Sequence, residues 1–269
     1  MTDRAGRARE RFRRLHESGT FVMPNAWDIG SARLLESLGF PAIASTSSGF
    51  AASLGRADQH TSLDELLAHS ARLVEAVDIP VSIDAEHGHA IDPEGVAETV
   101  RRIAATGAAG VSIEDYDPEG RILPFELAVE RVAAAASAAA ESGIVLTARA
   151  ENHLYGVADL DDTVARLRAF REASADVLYA PGVTDVSGLQ RLVADAGGPV
   201  NALIQGPSPT IAEMESIGIR RVSTGGALAF VAYGAAVAAA RELLERGTHA
   251  YLGSVLSLED RSAFRRTAQ

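Results

Sequence analysis

Cysteine is absent from all 269 residues of this chain. Its absence removes disulfides, thiolate metal ligands and any cysteine nucleophile, and it fits a cytoplasmic setting. Long apolar runs are missing too. None approaches the ~18 residues of a membrane span, so no membrane partner is expected. The Arg-rich start lacks the apolar stretch of a secretory signal, and its acidic residues argue against a transit peptide. Positive charge is in deficit: the formal net charge of −11 disfavours nucleic acid, whose phosphates are bound mainly by Lys and Arg. The Arg cluster of residues 4–14 reads as a solvated helix face. No Pro-, Gly- or Ser-rich linker divides the chain, so residues 1–269 are expected to form one domain.

What is present is a repeating pattern. Short β-branched runs alternate with longer segments of helical period. The strand candidates are "FVMPNA" (21–26), "AIAST" (42–46), "PVSIDA" (80–85), "GVSIED" (110–115), "IVLTARA" (144–150), "DVLYAP" (176–181), "PVNALI" (199–204) and "RVSTGG" (221–226). Gly closes several of the intervening helices, as in "ESLGF" and "AATGA". Strands separated by helices pair in parallel through right-handed crossovers. Eight such units predict an α/β fold, a (β/α)8 TIM-type barrel. A helix is expected over 1–20, and extra C-terminal helices over about 227–269.

In such a barrel the reactive side chains lie at the carboxyl ends of the strands. Polar residues collect there: Asn25, Trp27 and Asp28; "STSSG"; Asp84 and Glu86; Glu114 and Asp115; Arg149, Glu151 and Asn152; Asn201. Strand alternation points Asp84 and Glu86 to one side, and Glu114 on the next strand can join them. Three converging carboxylates repel one another unless a hard cation neutralises them, and Mg2+ suits oxygen ligands. Asp84, Glu86 and Glu114 are therefore the metal-site candidates, with Mn2+ as an alternative ion. His87 and His89 suggest zinc, but no second His pair or Cys supports a tetrahedral site, and both are expected on a solvent-facing loop. "STSSG" suits backbone amides closing on an anion. Arg149, ending an apolar strand, either pairs with Glu151 or clamps a substrate carboxylate bidentately.

Together these segments resemble the isocitrate lyase/phosphoenolpyruvate mutase superfamily. The likeness runs through "FVMPNAWDIGSARLLESLGFPAIASTSSGFAASLGRAD", "VSIDAEHGHA", "VSIEDYDPEG" and "LTARAENHLYGVADLDDTVARLRAFREASADVLYAPG". It implies a Mg2+-dependent barrel acting on a small 2-oxo acid or its enol, within a homotetramer or a dimer that exchanges its C-terminal helix. Carried over by position, Asp84 and Glu86 match the family's D-x-D motif, with Glu replacing the second Asp, and Glu114 matches the third carboxylate. Arg149 matches the substrate-holding Arg, Thr46, Ser47 and Ser48 the carboxylate-binding loop, and Asp58 an active-site Asp. Catalytic roles fall on Asp58, Glu114 and Arg149; Thr46, Ser47, Ser48, Arg149 and Asn201 are the substrate-binding candidates.

Two departures bear on function. The family's K-[KR]-C-G-H gating loop is absent, which excludes lyase chemistry by that cysteine. The mutase's longer Lys-Thr-Asn-Ser loop is absent as well. The expectation is C–C cleavage or decarboxylation through an enolate, with phosphonomutase or phosphonopyruvate hydrolase chemistry, or non-catalytic 2-oxo acid binding, as alternatives. Tyr116, His87, His153 and Tyr179 are the candidates for the acid that protonates the enolate.

Overall fold

The computed structural model describes residues 2–265. Helix α1 (Thr2–Leu15) comes first, and Pro24 splits the next strand into β1 (Phe21–Met23) and β2 (Asn25–Ala26). Then follow α2 (Ile29–Ser37), β3 (Ile43–Ser45), α3 (Ser47–Ser53), α4 (Leu63–Ala76), β4 (Val81–Asp84), α5 (Pro93–Ala105) and β5 (Gly110–Glu114). A small hairpin, β6 (Tyr116–Asp117) and β7 (Arg121–Ile122), leads into α6 (Phe125–Ser142) and β8 (Val145–Arg149). The chain continues through α7 (Leu160–Glu172), β9 (Val177–Tyr179), α8 (Val186–Asp195), β10 (Val200–Leu203), α9 (Ile211–Ile217), β11 (Arg221–Ser223) and α10 (Ala227–Arg246). Two 3-10 turns, Ala250–Ser254 and Asp260–Arg265, end the described chain.

The parallel ladder runs β1-β11-β10-β9-β8-β5-β4-β3-β2. Its two end segments are halves of one strand, so the nine segments are eight strands and the sheet closes into the expected barrel. Proline cannot donate to a ladder, and the closure works around Pro24. Its carbonyl accepts from Ala44 N at 3.0 Å, while the Asn25 side-chain oxygen accepts from Thr224 N and Gly225 N at 3.0 and 2.9 Å. The antiparallel hairpin was not foreseen. Its strands are two residues each, too short to show a period.

Alternation along the strands sorts the two faces. Ile83, Ile113, Leu146, Leu178 and Val222 face outward into one apolar cluster with helix residues such as Val100, Ile103, Leu167 and Phe170. A smaller cluster, Phe12, Phe21, Met23, Ala109, Val145 and Val177, plugs the lower end of the barrel. Phe12 brings α1 into this plug, edge-on to His16 at 4.8 Å and to Phe21 at 6.4 Å.

The arginines of α1 are not merely a solvated face. Arg9 donates to the carbonyls of Ala104, Ala108 and Ser142, and Arg13 pairs with Asp176 at 2.8 Å. Arg9 thereby ties α1 to the carboxyl ends of α5 and α6 through Ala104 and Ser142.

The expectation that no segment approaches membrane-span length needs correction. Helix α10 is long and apolar enough to cross a membrane by length and composition, with mean hydropathy 1.5 over its best window. Of its residues only Ala229 is buried, and Phe230, Val231, Val237, Leu243 and Leu244 are exposed. After it the chain folds back, and the turn Asp260–Arg265 packs on α2.

Replacing Phe12 by Ala removes the largest side chain of the lower plug, and a cavity of that kind costs about 3–5 kcal/mol. Urea unfolding is expected to show that loss; a loss below ~1 kcal/mol would mean that α1 rests on the barrel without stabilising it.

Candidate active site

The inward positions at the upper end of the barrel are polar. Asp84 is the last residue of β4, Glu114 of β5 and Arg149 of β8, so each inward side chain emerges where its strand stops. They line a cavity of about 180 Å3 together with Asp58, Tyr179 and Asn201.

Arg149 stands between the acids. Its Nη1 lies 3.0 Å from both Asp84 Oδ1 and Glu114 Oε1, and its Nε donates to Glu151 Oε1 at 2.6 Å. The guanidinium carbon lies 5.0 Å from the centre of the Tyr179 ring. Burial works against the charge on Arg149, but Glu114, Glu151 and Asp84 outweigh it and hold the group firmly protonated. The two readings offered for this residue are thus not exclusive. It pairs with Glu151, and because these contacts use Nε and Nη1, Nη2 remains for a ligand.

One cation does not balance the acids. Burial, with Glu151, Asp84 and Asp58 nearby, raises Glu114 well above the ordinary carboxylate range despite Arg149. Burial likewise pushes Glu151 up to about 7 against the pull of Arg149. Asp58, exposed on its outer side, is raised by desolvation and by the charge of Asp84.

Glu86 departs from the alternation argument. The strand ends at Asp84, and Glu86 has φ +51°, a left-handed conformation uncommon for a side-chain-bearing residue. Its carboxylate does not line the cavity but lies buried behind it. Oε1 accepts from Gln59 N at 3.0 Å; Oε2 has no hydrogen-bond partner and lies 3.5 Å from His89 Nε2. Burial and the charges of Asp84 and Asp58 push its pKa up to about 8.

Gln59 is a site residue the sequence reading missed. With φ +62°, it donates from Nε2 to Glu114 Oε2 at 3.0 Å and sets Oε1 3.0 Å from His87 Nδ1. It bridges Glu86, Glu114 and His87, and its only signal was a place beside Asp58. Neither histidine faces solvent, contrary to expectation: both are partly buried and stand behind Glu86. Burial, His89 and Arg131 lower His87 to about 4, so it stays neutral at pH 7.

The loop "STSSG" is the mouth of α3. Thr46 is its N-cap, and Thr46, Ser47 and Ser48 all line the cavity. The amide of Ser47 donates to Asp84 Oδ2 at 3.1 Å, so one of the amides expected for a substrate anion is engaged by an acid of the site. Asn201 is fully buried, donating to Ser223 Oγ and accepting from Arg221. Three other strand-end residues serve the scaffold. Asp28 caps α2; Asp115 accepts from Glu151 N at 2.7 Å and Arg166 at 3.0 Å; Asn152 accepts from Thr163.

Over the cavity, Tyr116 of the hairpin stacks on Tyr155 with ring centres 3.6 Å apart. Tyr155 lines the cavity and is a second residue the sequence reading missed. Tyr179 lines it too, and burial raises its phenol to about 12. Of the other acid candidates, Tyr116 reaches the cavity only through that stack, and His153 does not line it.

Clustered carboxylates and an arginine at the strand ends of a closed parallel barrel stand where enzymes of this architecture hold their active sites. The chain belongs to the phosphoenolpyruvate mutase/isocitrate lyase superfamily, since residues 12–244 match the family model described as phosphoenolpyruvate phosphomutase. A solved structure from Burkholderia cenocepacia J2315, assigned only provisionally as a lyase/mutase, is 44% identical with a TM-score of 0.95, covering 98% of each chain. The oxaloacetate decarboxylase of Bradyrhizobium sp. (strain ORS 278) is 30% identical over 80% of this chain and 76% of its own. A solved 2,3-dimethylmalate lyase is 28% identical with a TM-score of 0.84, over 95% of this chain and 94% of its own.

A carboxyl group protonated in the fold and ionised in the unfolded chain destabilises the fold as pH rises. Glu86 sits at about 8 against an ordinary glutamate value of 4.5. Its contribution is therefore present below the lower value and lost as pH climbs through the upper one. Without added metal, melting temperature should fall between those pH values, and Glu86→Gln should flatten the fall. Parallel pH curves for the two proteins would show that Glu86 is ionised throughout.

Proposed function

We propose that this protein either cleaves a C–C bond to release a small 2-oxo acid or removes a carboxylate from one, with Mg2+ as cofactor. The observation that carries this reading is the charge imbalance of the cavity: Asp58, Asp84 and Glu114 line it with Arg149 and Arg221, and Glu151 backs them, so acids still outnumber cations. Such a reaction needs an electron sink next to the breaking bond. A lysine Schiff base would serve, but lysine is absent from the chain, so all 25 of its basic residues are arginine. A divalent cation is the alternative sink, and this donor set fits one: hard oxygen ligands in excess of local positive charge.

Among the described residues, no three His, Asp or Glu side chains close on a single point as ligands. The three-carboxylate cluster expected of Asp84, Glu86 and Glu114 is therefore not formed; Mg2+ takes one or two carboxylates directly and keeps several waters. Asp84 and Glu114 would hold it from the cavity wall, with Asp58 acting through water. Bound there, Mg2+ supplies Lewis acidity that stabilises negative charge developing on the substrate. The protein's own groups do the rest. Arg149 would orient a substrate carboxylate through its free edge, and the Thr46–Ser48 turn would hold it at the mouth of the cavity. The phenol of Tyr155, kept protonated by burial and by the nearby charges of Glu114 and Glu151, would return a proton to the product.

The phosphoenolpyruvate phosphomutase family model keeps P–C chemistry as the second reading, while the oxaloacetate decarboxylase and dimethylmalate lyase among its relatives support this one. So does the hairpin that stands where the mutase loop would be. Its polar groups are engaged internally, Asp117 accepting from Glu119 N at 2.8 Å and from Arg121 Nε at 3.0 Å. The exposed apolar face of α10 supports a homo-oligomer in which a second copy covers that helix.

Pyruvate release should be assayed from oxaloacetate, 2-methylisocitrate, dimethylmalate and phosphonopyruvate, with and without Mg2+. Mg2+-dependent release from one of the first three is expected. Asp84→Ala should abolish it and Mg2+ binding by calorimetry while leaving the melting temperature within a few degrees. Turnover of phosphonopyruvate alone would assign P–C chemistry, and undiminished Mg2+ affinity in the variant would remove Asp84 from the metal site.

A further inference from the structure

The floor of the same cavity carries a second arginine, and it is unlike the first. Arg221 opens β11, is 2% exposed and lines the cavity from below. Its hydrogen bonds all go to neutral acceptors. Nε donates to Asn201 Oδ1 at 2.8 Å, Nη2 to Thr147 Oγ1 at 3.0 Å, and Nη1 meets His16 Nε2 at 3.3 Å. His16 is itself neutral, since burial and the charge of Arg221 lower it to about 3. Among the described residues no carboxylate pairs with Arg221, whereas Arg149 has three.

A buried guanidinium with no counter-charge is costly, and such groups are normally paired. Here burial and the nearby positive charge of Arg149 lower its pKa to about 9. The surroundings are also unusual for a barrel, whose interior branched apolar side chains commonly fill. Instead Ser82, Ser112, Asn201 and Ser223 line the well above Arg221. A guanidinium carries five N–H donors, and three contacts leave donors to spare. The cavity is therefore polarised: acids surround its upper end and an unmatched cation lies at its base.

We propose that Arg221 forms a carboxylate-binding subsite at the floor of the cavity, so that the ligand carries one anionic group there and a second at the Arg149 end. This deepens, and rests on, the reading of the cavity as a 2-oxo acid site. It makes the preferred ligand a dicarboxylic 2-oxo acid and Arg221 the residue that selects it over a monocarboxylate. A purely structural Arg221, tying α1 to the barrel through His16, would confer no such selectivity.

The test is calorimetric titration of the Mg2+-loaded wild type and Arg221→Gln with pyruvate and with 3,3-difluorooxaloacetate, which has no C3 proton to lose by enolisation. The wild type should bind the dicarboxylate at least tenfold more tightly. The variant should lose roughly tenfold to a hundredfold on the dicarboxylate, as expected for a lost charge-assisted bond, with pyruvate affinity unchanged. Equal losses on both ligands, an unaltered preference, or a wild type with no preference would each overturn the subsite. Should Arg221→Gln fail to fold, a wild-type crystal with the difluoro analogue decides: a carboxylate within 3.2 Å of an Arg221 nitrogen supports the subsite, and one elsewhere overturns it. Metal-dependent turnover combined with an unaltered preference in Arg221→Gln would sink the subsite and leave the proposed function standing. Arg221-dependent dicarboxylate binding without turnover of any substrate would do the reverse.

Discussion

The architecture of the site depends on one guanidinium. Arg149 lies within 3.0 Å of acids from two neighbouring strands and 2.6 Å from a third acid on its own chain segment. Removing it would leave Asp84, Glu114 and Glu151 facing one another in a partly dry cavity, where like charges raise each other's pKa values and oppose folding. Arg suits this position better than Lys would, because a planar fork can bond in several directions while remaining charged. Even so, the match is incomplete. Protonation of Glu86 and Glu151 or the arrival of a cation would remove the excess negative charge, and those two outcomes compete. Any cation entering the site would therefore bind in competition with protons.

That arrangement is supported by a clear division of labour along the barrel. Its outward faces pack against helices through Ile83, Ile113, Leu146 and Leu178, and its lower end is plugged by Phe12 and its neighbours. Those contacts bury the apolar surface that stabilises the fold, which leaves the inward upper positions free to be polar. Serines in the middle of the well, rather than valines or isoleucines, keep it open beneath Asp84 and Glu114. The hairpin and the Tyr116–Tyr155 stack shield the cavity from above.

Much of this could be read from the chain, for a definite reason. Asp84, Glu114 and Arg149 are last residues of strands with a strict period of two, so their direction follows from local geometry alone. Glu86 shows where that logic ends. Two residues beyond Asp84 it has the same parity, but the strand has stopped and φ is +51°, so parity no longer sets direction. Gln59 had no parity to read, because it lies on a loop and reaches Glu86, Glu114 and His87 only when the barrel closes. His87 and His89 looked solvent-bound because loops usually are; packing against Glu86 and Arg131 buries them.

The sequence by itself determined the eight repeating units, the closed parallel barrel, the place of Asp84, Glu114 and Arg149 at strand ends and membership of the superfamily. All of these depend on short-range periodicity or on motifs contained within one strand and its following loop. Tertiary structure alone decided that Glu86 stands behind the cavity, that Tyr155 lines it, and that Arg221 lies at its floor without an acid. Those facts turn on contacts such as Arg221 with His16 and Thr147, 205 and 74 residues away in the chain. Burial and charge pairing are properties of neighbours in space, and no local pattern along the chain encodes them.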